Sequence, residues 1–348
     1  MDLKVCKCRT GFGVSLRLAG KVALLAFVLL SADAALGFQE ADQEVSLQLV
    51  CPAPCRYQQG ETISLELAFT SSTPNKYLVD TNNTDWPITF EDFEVSPREG
   101  ASDPVSAYLK IITLALSLNV QFQYLSKVPV VIWQDLNQHI RFDRPGHYRV
   151  QAVSNRVYMA QNQVKSPVSP PIKSSIVEIE IIPADPEWQR NRLEWIRKTL
   201  DSVAPSLQVD AVRALCDMGT EAAAHEMARR LINDESHYYL YLNGLIRSRY
   251  RSSALLEMNR LLHSPDAPIN ARFLQMMSTI SIEPSHDRTD FNKRYQNSRR
   301  TLLKKIVELL PQKRGSARSI TARVILDWGK YDLDERSRRA IEESLGRW

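Results

Sequence analysis

The chain has 348 residues, of which 44% are hydrophobic and 24% charged. This composition excludes a disordered tail, a collagen, a multi-span membrane protein and a small disulfide scaffold, and the length predicts two domains of roughly 150 residues each. The net charge of +4 is uneven: residues 1–37 carry 5 basic and 2 acidic side chains, residues 38–183 carry 11 and 16, and residues 184–348 carry 28 and 22.

Residues 1–37 read as a signal peptide. A basic segment ends at Lys21, an apolar run spans Val22 to Leu30, and small residues follow through Ala34 and Ala35 to Gly37. The run is short of the about 20 apolar residues that a bilayer crossing needs, and Asp33 would be costly inside one. Cleavage is expected after Gly37 or after Ala34. The mature chain is then expected to be exported, to the periplasm or outside the cell, with no stable membrane span. Its charge falls to about +1, which gives no basic excess for nucleic-acid binding.

Cys6 and Cys8 leave with that segment; Cys51, Cys55 and Cys216 remain. Cys51 and Cys55 flank Pro52-Ala53-Pro54 and could close a small disulfide in an oxidising compartment. A catalytic redox pair is disfavoured, because no helix pattern follows to lower a thiol pKa. Cys216 falls on the apolar face of a predicted helix, as a buried thiol.

Residues 38–183 predict a β-sandwich domain. Val45, Leu47 and Leu49 alternate with polar residues, as do Ile63, Leu65, Leu67 and Phe69. Period-two alternation places one set on a core face. The even positions from Ile112 to Tyr124 predict one long strand or two, and Val177, Ile179 and Ile181 a last strand that Pro183 stops. Residues 161–175, rich in Ser and Pro, predict a loop. Glu91, Asp92 and Glu94 lack the spacing of a calcium loop and predict a solvated acidic face. Trp86, beside Asn82 and Asn83, is a candidate ligand contact in a loop; Asn82-Asn83-Thr84 also forms a glycosylation sequon. Pro145-Gly146 makes a turn and Tyr148 enters a strand, in the pattern Asp143-x-x-Gly146-x-Tyr148. This pattern resembles the tyrosine corner of immunoglobulin-like sandwiches, in which a Tyr hydroxyl bonds backbone. That resemblance offers Trp133 as the core Trp, while Val150 stands where the second Cys would be.

Residues 184–204 predict a connecting helix opened by Asp185-Pro186-Glu187. Trp188 and Trp195 are expected to pack at the domain junction, with a sugar-stacking platform as the alternative. Residues 205–348 predict paired helices. Two short helices meet at Gly219-Thr220, and looser pairs follow at roughly 30-residue spacing. Val212, Arg213, Leu215 and Gly219 resemble the signature of a HEAT repeat. The arrangement is similar to that of secreted bacterial proteins of uncharacterised function in which an immunoglobulin-like β domain precedes HEAT-like helical repeats. The basic stretch from Lys293 to Arg323 reads as a solvated helix face.

No catalytic motif, phosphate-binding loop or metal-ligand spacing is present, and the six His residues show no ligand pattern. No catalytic, cofactor-binding or metal residues are therefore expected. The sequence favours a non-catalytic protein–protein interaction module of the cell envelope, binding a partner on the helical-repeat surface. The alternatives are a carbohydrate-binding or adhesion protein acting through the β domain, and a hydrolase with a dispersed site.

Overall fold

The computed structural model describes residues 44–82, 90–109, 121–161, 164–202, 205–283, 287–330 and 332–346. The segment read as a signal peptide, Trp86, the sequon beyond Asn82 and most of the 112–124 run lie outside the described residues. Glu44–Trp348 forms one compact unit.

The N-terminal part is β-rich. Its main sheet holds seven strands in the order β5 (Glu91–Ser96), β10 (Gly146–Ser154), β13 (Ile172–Ile182), β1 (Val45–Val50), β3 (Ser64–Ser71) and β8 (Val130–Asp135), with β2 (Arg56–Gln58) also pairing β13. It curls as a half-barrel. The period-two pattern explains its core, since alternate side chains leave opposite faces of a strand. Val45, Leu47, Leu49, Leu65, Leu67 and Phe69 are all buried, as are Tyr148, Val150 and Ala152 on β10. A second sheet orders β12 (Val164–Pro167), β11 (Val157–Gln161), β4 (Tyr77–Asp80) and β7 (Phe122–Tyr124). β6 (Ala101–Ser102) pairs β9 (Arg141–Phe142).

Three expectations for the β part change. Residues 161–175 are not one loop: β12 pairs β11, and β13 begins at Ile172. Pro167 is tolerated because β12 is an edge strand. Trp133 is not a core residue. It sits on the edge strand β8, where Val130 and Ile132 take the inward positions and leave Trp133 52% exposed. Glu91 is not solvated. It is buried against the Arg156 guanidinium, with Nη2 of Arg156 at 3.0 Å, and Ser154 Oγ donates to it at 3.1 Å. Asp92 and Glu94 are exposed.

The C-terminal part is helical: α1 (Pro186–Leu200), α2 (Pro205–Asp217), α3 (Glu221–Arg230), α4 (Tyr238–Arg247), α5 (Arg251–His263), α6 (Ala271–Ile280), α7 (Arg288–Leu309), α8 (Gly315–Trp328) and α9 (Glu335–Gly346). Asp185 caps α1 by accepting from the Glu187 amide at 3.0 Å, and Thr220 caps α3 from the Ala223 amide at 3.2 Å. Gly219 takes the left-handed conformation, φ +59°, that lets the chain turn between α2 and α3. α2 packs on α4, α4 on α6 and α6 on α8, while α3 packs on α5. Leu215, Met227, Tyr241, Leu245, Met258 and Phe273 fill the shared core. Gly244 is the close-approach point: a Cβ there would lie 2.6 Å from Cys216 Sγ and 2.8 Å from Met227 Sδ.

α1 buries Leu193 and Ile196. Trp188, Arg192 and Trp195 share a neighbouring face at helical spacing. Trp195 is therefore not packed into the junction: it is 42% exposed and lies under the Arg192 guanidinium at 4.4 Å. Among the described residues, no helix is long and apolar enough to cross a membrane.

Candidate functional site

The β and α parts meet along a polar seam. Asp217 ends α2, Arg247 ends α4, and Thr62 precedes β3. Arg247 Nη2 donates to Asp217 Oδ1 at 3.2 Å, and Thr62 Oγ1 donates to Oδ2 at 2.7 Å. Both ionic side chains are almost fully buried. Burial pushes the Asp217 carboxyl up, against the pull of Arg247 and Thr62. Beside them, Asp135 caps the turn Leu136–Gln138 by accepting from the Asn137 amide at 3.0 Å. Its second oxygen is sealed from solvent without a hydrogen-bond partner. Burial, then the neighbouring Asp217 charge, push this carboxyl well above the usual aspartate range, opposed by Arg247.

A second contact lies along the same seam. Arg141 clamps Asp143 through two hydrogen bonds of 2.9 and 3.1 Å and donates to the Arg247 carbonyl, while Arg249 reaches Asp143 at 3.1 Å. Gly60, at φ +92°, permits the closest backbone approach: a Cβ there would sit 2.4 Å from the Met218 carbonyl oxygen.

The seam separates two clefts. One, of about 290 Å³, is lined among others by Gln59, Glu61, Asn137, Arg141, Asp217 and Arg247. The other, of about 350 Å³, takes Trp133, Gln134 and Asp135 from the β part and Arg192, Asp210 and Arg213 from the helices. Neither presents an activated nucleophile. Cys216 lines the first cleft, but burial pushes its thiol up and the Sγ donates to the Leu240 carbonyl at 3.2 Å. His139 is buried against Gln134 at 2.7 Å, and burial pushes its imidazole down to about 3, so it is neutral. No group of three or more metal-ligating side chains occurs among the described residues.

The residues singled out in the sequence fall at separate places. Tyr148 donates to the Arg144 carbonyl at 2.8 Å, at the turn that brings Asp143 to the seam. Cys51 and Cys55 are free thiols; the Cys51 Sγ lies 3.4 Å from the Tyr57 hydroxyl, and burial pushes that thiol up to about 12. Val212 and Leu215 are fully buried in the helical core. Arg213 pairs with Asp210 at 3.5 Å.

The helices carry a second polar arrangement. Buried Glu226 on α3 accepts from Arg197 at 2.9 Å and from Arg230 at 3.0 Å. Buried Glu257 on α5 accepts from Arg229 at 2.7 Å and from Arg260 through two bonds of 2.8 Å. Arg260 and then Arg229 hold the Glu257 carboxyl down at about 2. Each glutamate lies one helix pair from its first arginine. On the outer side of α5, Leu256 is 71% exposed, with Ser252 and Arg260 also exposed on that helix and Arg229 exposed on the adjoining α3. The sequence carried a trace of this in the recurrence of Arg and Glu about one repeat apart.

No protein-family model matches the chain, and the search of curated proteins finds no match.

Proposed function

We propose that the chain is an exported, non-catalytic protein-binding module of the cell envelope, in which a short HEAT-like helical array carries the contact surface. The supporting observation is the near-constant sequence separation of the bridges between successive helix pairs: 29 residues for Arg197–Glu226, 28 for Arg229–Glu257 and 32 for Ser253–Glu221. Such a separation is what stacked helix pairs of similar length produce, and stacking makes an extended surface from neighbouring repeats. The β part, in this reading an immunoglobulin-like domain, is held rigidly to the array by the Asp217–Arg247–Thr62 seam.

The contact surface we assign is the outer face of α3 and α5. Leu256 is its apolar centre, and Arg229 and Arg260 flank it. A large exposed apolar side chain ringed by arginines matches the composition of interface centres. The helical part carries a net +6, from 28 basic and 22 acidic residues, so the partner is an acidic protein surface. Leu256→Asp tests the assignment. The change is on the surface and leaves the fold intact, and it places a like charge against an acidic partner. Capture of a saturable envelope protein by the wild-type chain and its loss with Leu256→Asp is the expected result. Equal capture by both would overturn the assignment.

A further inference from the structure

We propose that the cleft on the α1 side of the seam, which is separate from the α3–α5 face, binds a neutral oligosaccharide. Three indoles mark the cleft and the groove beside it. Trp133, 52% exposed, projects from β8 into the cleft wall. Trp195, 42% exposed, and Trp188 line a shallower groove on α1. Arg192 lines both the cleft and the groove, so the two adjoin. Exposed indoles offer flat apolar faces that match the C–H face of a hexose ring, while their neighbours remain polar.

The polar groups suit a ligand rich in hydroxyls. Gln134 and Asp135 both line the cleft and add amide and carboxyl groups to its wall. Thr62, Ser64 and Gln138 also line the cleft and add small hydrogen-bonding groups. Of the cleft's cations, Arg213 is already paired with Asp210 and Arg192 lies over the Trp195 ring, so the ligand assigned is neutral. The walls come from both the β and α parts, and ligand pockets occur preferentially at such junctions.

The test is titration of the full chain with cellohexaose, maltohexaose and chitohexaose, followed by calorimetry and by tryptophan fluorescence. An alginate hexamer is the anionic control. At least one neutral hexamer is expected to bind with a fluorescence change. Its affinity is expected to fall by about tenfold or more in Trp133→Ala and in Trp195→Ala, and to be unchanged in Leu256→Asp. Trp195 lies on an exposed helix face, so its variant reads binding even if Trp133→Ala melts early. Failure of all three neutral hexamers to bind, tighter binding of alginate than of any of them, or unchanged affinity in Trp195→Ala would overturn the proposal. None of these outcomes bears on protein capture by the α3–α5 face.

Discussion

Replacing Glu257 with Gln removes the charge that holds α3 to α5. The carboxylate accepts from Arg229 at 2.7 Å and from Arg260 at 2.8 Å, and its side chain is only 7% exposed. Its pKa stands at about 2 against an ordinary 4.5. That displacement corresponds to an upper limit of about 3 kcal/mol of stability at neutral pH. Arg229 and Arg260 are 47% and 62% exposed, so solvent screens both, and the realised loss is about 1–2 kcal/mol. The native pKa is depressed, so the contribution is fully present above the ordinary value and is lost as pH falls toward 2. Urea denaturation followed by helical circular dichroism measures it. Glu257→Gln is expected to unfold at lower urea at pH 7, and the gap to wild type is expected to narrow by roughly a third to a half at pH 3.5. No gap at pH 7, or a gap that does not change with pH, would refute the reasoning.

Three further perturbations probe the packing and the seam. Arg247→Met leaves the buried Asp217 and Asp135 without their cation and is expected to cost about 3–5 kcal/mol at pH 7. Both carboxyls already sit above their ordinary values. Loss of the cation raises both further, so the native variant binds more protons than the native wild type, and its deficit in urea is expected to grow as pH rises through the wild-type values of these carboxyls. Gly244→Ala forces a Cβ against Cys216 and Met227 and is expected to cost about 1–3 kcal/mol by thermal melting. Tyr148→Phe removes the 2.8 Å bond to the Arg144 carbonyl, with an expected loss of about 0.5–1.5 kcal/mol. A loss in that variant well above this range would mean that the turn positions Asp143 against Arg249.

The local pattern was legible wherever one physical rule dominated. Period two placed Val45, Leu47, Leu65 and Leu67 inside, because a strand alternates its faces. Asp185-Pro186 and Gly219-Thr220 marked helix ends, because capping and left-handed backbone need those residue types. Reading failed where the deciding partner was far away in sequence. Thr62 and Asp217 lie 155 residues apart, Asp143 and Arg249 106, and Glu91 and Arg156 65. Nothing local distinguishes such a carboxylate from a solvated one. The aromatics misled for a related reason. Trp133 and Trp195 look like core residues by type, but Ile132 and Ile196 already hold the inward positions beside them.

The central claim is that the outer face of the α3–α5 pair is the partner surface. It is tested most directly by placing a photoreactive amino acid at position 256 of the full chain, with position 176 on the β sheet as the control site. Crosslinking in the native envelope at 256 to one acidic protein, competed by unlabelled wild-type chain but not by Leu256→Asp, is the predicted result. The same product from both positions, or no competable product at 256, would contradict it.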